Sequence, residues 1–186
     1  MFNQKLFSLL QVIAQALFSF VFLSTLIKSG KKIDYVDWSL SISIVSAIYS
    51  LNIFSGVLFN KFIASGQYNT SIIFLNLFGI IIISVLMLMY GLYADAKIYF
   101  YLAILFSSIM QLSFSLCNIV DGLGKIIYRC AAQIIIFIFF TLILFFAQKA
   151  NASMAQVIFL AVLSYSSVAI SGIFIITINK SWNLNF

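Results

Sequence analysis

The chain has 186 residues, of which 64% are hydrophobic and only 8% are charged. A soluble domain is about half apolar and about a quarter charged, so this composition excludes a water-soluble surface. The net charge is +6, but the basic residues are scattered singly between apolar stretches. This excludes the basic patch or stripe that is typical of nucleic-acid binding.

Long uncharged stretches separate the few charges, and six of them predict membrane-spanning helices. Each is close to or longer than the roughly 20 residues that a helix needs to cross hydrocarbon. In chain order, the predicted spans cover residues 6–27, 38–60, 70–93, 98–120, 128–148 and 154–178. The first span is longer than the apolar region of a secretory signal, so we expect a retained helix.

The connections between the predicted spans are short, so neighbouring helices are expected to run antiparallel. The sequence therefore predicts an all-α fold, a polytopic membrane helix bundle of about six transmembrane helices with up-and-down topology. We expect a single transmembrane domain over residues 1–186. Loop charges do not orient it, because alternate loops carry five basic residues on each side and the positive-inside rule is tied.

Polar residues recur at helical spacing in four spans, whereas the third and fifth spans are more uniformly apolar. The stripes are Ser8, Gln11, Gln15 and Ser19; Ser39, Ser43, Ser46 and Ser50; Ser108, Gln111, Ser115 and Asn118; and Ser164, Ser167 and Ser171. A helix face in lipid gains nothing from polar groups, so these faces are expected to meet protein or water. Helix packing is the favoured interpretation for the serines. For the carboxamides, which need several hydrogen-bond partners, packing and a pathway lining stay equally open.

The residues of most catalytic and metal sites are missing. The sequence has no His and no Glu, and its four Asp are expected in loops, which removes most acid–base, nucleophilic and metal chemistry. No phosphate-binding Gly-x-x-x-x-Gly-Lys-Ser/Thr motif is present. We therefore predict that the protein is not an enzyme and holds neither a metal nor a cofactor. Cys117 and Cys130 are expected to be free and buried.

Between the fourth and fifth predicted spans, three charged residues are spaced four residues apart: Asp121, Lys125 and Arg129. If the helix has already begun there, Lys125, Arg129 and Gln133 share one face. One interpretation places these cations at the mouth of a cavity, where they meet an anionic head group such as a pyrophosphate. The favoured alternative is loop cations that extend to the membrane surface.

Two stretches resemble turns of the polysaccharide (O-antigen, Wzx-like) flippases, a branch of the multidrug/oligosaccharidyl-lipid/polysaccharide exporter superfamily. Residues 52–68, NIFSGVLFNKFIASGQY, resemble the second helix of this family and its cytoplasmic turn. Residues 118–134, NIVDGLGKIIYRCAAQI, resemble the turn between helices four and five. The resemblance covers nearly the whole chain but only the N-terminal six-helix half of a usual family member. The chain also lacks the proline that bends the first helix of some relatives.

The resemblance implies that a lipid-linked oligosaccharide, carried on undecaprenyl diphosphate, is flipped across the bacterial inner membrane. It also implies a cytoplasmic N-terminus and a second six-helix bundle, from another chain or a second copy, because two lobes move around the cavity in this superfamily. The expected partners are the bilayer, the anionic saccharide lipid and the second bundle, without nucleic acid. The expected substrate-binding residues are Arg129, Lys125, Gln11, Gln15, Gln111 and Asn118.

Two other functions stay open at this point. One is a substrate-binding six-helix membrane subunit of an energy-coupled vitamin importer. Against it, the first helix lacks a small-x-x-x-small docking face, since Ala14 is followed four residues later by Phe18. The other is a structural membrane assembly subunit whose polar faces only pack against partners.

Overall fold

The computed structural model describes residues 2–50 and 70–178, and every regular element in these ranges is an α-helix. The helices are α1 (Phe2–Ser29), α2 (Lys32–Ser50), α3 (Thr70–Tyr93), α4 (Ile98–Gly122), α5 (Ile126–Lys149) and α6 (Met154–Ile178). All except α2 are long and apolar enough to cross a membrane. The predicted all-α, polytopic membrane bundle is confirmed.

The helix bounds follow the predicted spans closely except at the start of α2, which begins at Lys32 and not at residue 38. The expectation that Asp34 and Asp37 lie in a loop is therefore wrong, because both lie in the first turns of α2. The helices α4 and α6 begin at residues 98 and 154, as predicted, while α1 and α5 extend a few residues beyond their uncharged stretches. Their last turns include Lys28 and Lys149, and a cation is favourable at the C-terminal end of a helix. A charged residue therefore marks the end of the apolar span but not the end of the helix. Residues 51–60 of the second predicted span lie outside the described residues.

Packing does not follow chain order. The helix α1 packs mainly along α5 and also contacts α6, while α4 packs along α6 and also contacts α2, α3 and α5. The helix α4 is therefore the centre of the described bundle, and α3 lies against its outer side. The short connections after α1, α3, α4 and α5 place the helices that they join in antiparallel order.

Aromatic rings fill the middle of the bundle between α1, α4, α5 and α6. The ring of Phe18 lies 5.3 Å from that of Phe137, and the ring of Phe106 meets that of Tyr165 edge-on at 5.6 Å. Phe22 stacks on Phe106 and completes this group. Edge-to-face and offset pairs add about 0.5–1.5 kcal/mol each beyond apolar burial. We call these five residues the aromatic plug.

Hydrogen bonds between hydroxyl and amide groups connect the helices within the largely apolar interior. The Tyr49 hydroxyl of α2 lies 2.5 Å from Ser84 Oγ of α3 and 2.6 Å from Ser108 Oγ of α4. The Asn76 amide donates to Ser115 Oγ at 2.7 Å. A bonded polar pair of this kind fixes which faces of two membrane helices meet.

The serine stripe of α2 does not face the interior of the described bundle. Ser43 and Ser50 are exposed, and each donates to a carbonyl of its own helix. A serine hydroxyl is satisfied by the carbonyl three or four residues earlier, so its polarity alone does not determine the direction of a helix face. The inward face of α2 carries Trp38, Val45 and Tyr49 instead.

Candidate functional site

The turn between α4 and α5 builds one end of the candidate site. After α4 ends at Gly122, Gly124 adopts a φ of 71°, a left-handed conformation that glycine accepts without steric cost. The Lys125 amide then donates to the Val120 carbonyl at 3.1 Å, and the Gly124 amide donates to the Asp121 carbonyl at 2.9 Å. This capped reversal places the last turn of α4 beside the first turn of α5.

The reversal brings Asp121 and Arg129 together. The Arg129 Nε donates to Asp121 Oδ1 at 2.5 Å, and its Nη1 donates to Gln133 Oε1 at 2.9 Å. The Gln133 Nε2 in turn donates to the Cys117 thiol at 3.0 Å. Arg129 and Gln133 share one face of α5, as predicted, but α5 begins at Ile126, so Lys125 precedes the helix and does not belong to that face. Because the guanidinium is paired, it is held in one orientation and its charge is balanced.

A cavity of about 220 Å³ opens beside this chain of hydrogen bonds, between α1, α4, α5 and α6. We call it the polar cavity. It is lined by Gln11, Gln15, Ser113, Phe114, Cys117, Asn118, Asp121, Arg129, Gln133, Phe137, Tyr165 and Val168. It extends from the turn between α4 and α5 to the aromatic plug at mid-bundle, since Phe137 and Tyr165 belong to both.

Carboxamides dominate the polar part of the lining. The Gln11 amide donates to Gln15 Oε1 at 3.0 Å, and the Gln15 side chain meets the Tyr165 hydroxyl. The Asn118 side chain has no hydrogen-bond partner among the residues that the structure describes. Amides and hydroxyls both donate and accept, so this lining suits an uncharged ligand rich in hydroxyl groups.

The structure places four of the six predicted binding residues on the polar cavity: Gln11, Gln15, Asn118 and Arg129. It does not place Lys125 there, because Lys125 precedes α5 and its ammonium lies 5.9 Å from the Tyr128 ring centre.

Gln111 also lies outside the lining of the polar cavity. The cavity side of α4 carries Ser113, Cys117 and Asp121 at intervals of four residues. Gln111 is displaced around the helix toward Ser115, whose hydroxyl meets Asn76 of α3. The predicted stripe through Gln111 and Asn118 therefore runs along the edge of the cavity, and only Asn118 reaches it.

Eight of the twelve lining residues were not predicted as site residues, and three of these eight carry polar groups that matter for the site. Asp121 was expected in a loop, but α4 continues through Gly122 and carries it into the site. Gln133 is nearly alone in an apolar span, and its spacing of four from Arg129 is the signal that points to it. Tyr165 carries a hydroxyl at the middle of its span, where an interfacial tyrosine is not expected.

The cysteines lie on either side of the turn, Cys117 on α4 and Cys130 on α5, and the prediction that both are free and buried is confirmed. Cys117 lines the polar cavity. Cys130 is fully shielded and lies 3.8 Å from Ser8 Oγ of α1. The two thiols therefore differ in their access to the cavity.

No protein-family model, curated protein or solved structure matches this chain. Of the two flippase-like stretches, residues 52–68 lie outside the described residues. The other, residues 118–134, forms the glycine-capped turn and the ion pair at the polar cavity.

Proposed function

We propose that this chain is a membrane transport protein that flips a lipid-linked saccharide across the bilayer as one half of a two-lobed transporter. The observation that carries the proposal is the polar cavity, a pocket of amides, hydroxyls and one ion pair inside a bundle of long apolar helices. Polar groups in a membrane interior are costly, and they typically mark the path of a polar substrate.

The charge balance of the polar cavity favours the saccharide part of such a substrate. Arg129 is paired with Asp121, so the cavity offers no uncompensated cation for a diphosphate. The amides of Gln11, Gln15 and Asn118 match the donors and acceptors of sugar hydroxyls. In this proposal the sugar enters the cavity, and the diphosphate stays nearer the membrane surface, where Lys125 lies.

The size of the cavity supports a two-lobed assembly. Sites for drug-sized ligands are typically about 300–1,000 Å³. At about 220 Å³ the polar cavity has room for a group of sugar-ring size but not for an oligosaccharide. A second bundle, from a second copy or another chain, would add its own lining residues and so enlarge the pathway. The proposed setting is the bacterial inner membrane, with the cavity end and the N-terminus on the cytoplasmic side.

A translocation assay in reconstituted vesicles tests the proposal. The substrate is a diphosphate-linked polyprenyl saccharide, and a lectin added outside reports the saccharide that reaches the outer leaflet. Asn118→Leu is expected to slow translocation about tenfold, as for a lost ligand contact of about 1.4 kcal/mol. Gln111→Leu is the matched control, because it removes a carboxamide from the same helix outside the cavity.

Two outcomes would contradict the proposal. One is a wild-type protein, folded by circular dichroism, that translocates the saccharide no faster than protein-free vesicles. The other is an equal translocation rate for Asn118→Leu and Gln111→Leu, which would mean that transport does not use the polar cavity.

A further inference from the structure

A second cavity, of about 200 Å³, lies at the opposite end of the bundle from the polar cavity. It lies between the end of α1 and the loop from α5 to α6. Its lining consists of Thr25, Lys28, Ser29, Gln148, Asn151 and Ala152. The aromatic plug lies between the two cavities, so this one forms a separate site at the other membrane surface.

The loop from α5 to α6, which lines the second cavity, is fixed at both ends by hydrogen bonds. Asn151 has a φ of 53°, and the Ala152 amide donates to the Ala147 carbonyl at 3.0 Å, which caps the end of α5. The Ser153 amide donates to Gln156 Oε1 at 2.8 Å, and the Gln156 amide donates to Ser153 Oγ at 3.4 Å. This reciprocal pair is a capping box that begins α6. The cavity is therefore pre-formed.

The lining of the second cavity provides positive charge and an unused donor. Lys28 forms no ion pair within the described ranges, and no carboxylate lines the cavity. The Gln148 Nε2 atom is shielded from solvent and has no hydrogen-bond partner among the described residues. An unmet buried donor is costly, so it is typically satisfied by a ligand or water. A cation beside an unpaired amide donor suits an oxyanion.

The C-terminal ends of α1 and α5 disfavour the binding of an anion here, because each helix C-terminus carries about half a negative charge. These carbonyls are already bonded, however. Ser29 Oγ donates to the Leu26 carbonyl, and loop amides donate to the carbonyls of Phe146, Ala147 and Gln148. Lys28 contributes a full charge at the cavity, and Lys149 lies in the last turn of α5. The full charge of Lys28 outweighs the partly satisfied dipoles.

We propose that the second cavity binds a phosphate group at the membrane surface. Lys28 pairs with the phosphate oxygens, and the Gln148 Nε2 donates to one of them. The phosphate can belong to the head group of an anionic lipid or to free phosphate in solution. The site does not depend on saccharide transport, because none of its residues lines the polar cavity.

The test uses the full chain in a neutral detergent and native mass spectrometry with phosphatidic acid or phosphatidylcholine as the probe. Lys28→Gln is expected to reduce retention of phosphatidic acid about tenfold, as for the loss of a charge-assisted hydrogen bond. Lys31→Gln is the matched control, because Lys31 is an exposed lysine at the same end that does not line the cavity. Retention of phosphatidylcholine is expected to stay unchanged in both variants.

Gln148→Leu separates binding from folding. Because the Gln148 Nε2 has no partner in the described structure, its removal is expected not to lower the Tm, while retention of phosphatidic acid falls. Inorganic phosphate distinguishes the two sources. If millimolar phosphate raises the Tm of wild type but not of Lys28→Gln, and displaces phosphatidic acid, the site takes free phosphate. If phosphatidic acid stays bound, the site takes the lipid.

The proposal is overturned if Lys28→Gln and Lys31→Gln lower retention equally, since general surface charge would then explain binding. It is also overturned if neither phosphatidic acid nor inorganic phosphate binds the wild-type protein. Neither result bears on saccharide translocation, which the vesicle assay measures independently.

Discussion

Arg129 lies against Asp121 across the turn between α4 and α5, with 2.5 Å between the guanidinium Nε and the carboxylate Oδ1. The two residues are not equally dependent on this contact. The Arg129 side chain is 15% exposed and the Asp121 side chain 35%, so the cation has less access to water. Loss of the carboxylate therefore leaves a poorly solvated charge, while loss of the arginine leaves a carboxylate that water can reach.

Asp121→Asn is expected to lower the free energy of unfolding by about 1.5–3 kcal/mol, the range for a hydrogen bond to a charged group. The double variant Asp121→Asn, Arg129→Gln is expected to recover part of this loss, because the uncompensated charge is removed. Reversible SDS unfolding in mixed micelles, followed by circular dichroism, measures both.

The matched control for the ion pair is Asp37→Asn, which breaks the Lys97 to Asp37 pair at the other end of the bundle. The Lys97 side chain is 66% exposed, so this loss is expected to cost only about 0–1 kcal/mol. Equal losses of unfolding free energy for Asp121→Asn and Asp37→Asn would contradict the expectation that the more buried ion pair contributes more to stability.

The two cysteines report whether water enters the polar cavity. In a Cys130→Ser variant, a small water-soluble thiol reagent is expected to label Cys117, which lines the cavity. In a Cys117→Ser variant, labelling of Cys130 is expected to be several-fold slower or undetectable, because Cys130 is fully shielded. Mass spectrometry of intact protein in vesicles follows the rate. If Cys117 is not labelled, or is labelled no faster than Cys130, water does not enter the cavity.

Tyr49→Phe removes the hydroxyl that joins α2 to both α3 and α4. Ser84 and Ser108 still donate to carbonyls of their own helices, so neither is left without a partner. We expect a loss of about 0.5–1.5 kcal/mol in the free energy of unfolding, the net value of one hydrogen bond. Tyr90→Phe is the control, because Tyr90 is 59% exposed. An unchanged stability in Tyr49→Phe would mean that the hydroxyl contributes nothing to helix packing.

Gly172 allows α6 to approach α4 closely. A Cβ atom at this position would lie 3.1 Å from the Cβ atom of Leu116. Gly172→Val is therefore expected to destabilise the bundle by about 1–3 kcal/mol through overpacking, despite the better helix propensity of valine. Leu163→Val, at an exposed position of the same helix, is expected to cost much less. If both variants unfold at the same SDS concentration, the close approach is not required.

The fold was predictable because one physical constraint dominates it. Hydrocarbon admits a long helix with no charged residue, so the distances between charges determine how many helices form and approximately where each one lies. The partners of each helix were not predictable in this way. The packing of α1 against α5 depends on which faces fit together, and hydropathy carries no information on this when both faces are apolar.

The candidate site was predictable in part, and the residues show why. Gln11, Gln15 and Asn118 carry carboxamides, which are rare in spans and need partners, so each points inward. Serines gave no such direction, since Ser43 faces outward with its hydroxyl bonded to its own helix. Pairing of Arg129 with Asp121 depends on the left-handed Gly124, whose conformation decides which residues of the two helices meet.

The two polar contacts of α3 have a consequence for its rotation. Asn76 bonds to Ser115, and Ser84, two turns later, meets Tyr49 and Ser108. An apolar helix in lipid gains nearly the same free energy at any angle about its own axis, because lipid and protein interiors are equally apolar. Asn76 and Ser84 therefore specify the axial angle of α3, whereas exposed residues such as Leu86 and Met89 tolerate exchange for other apolar residues.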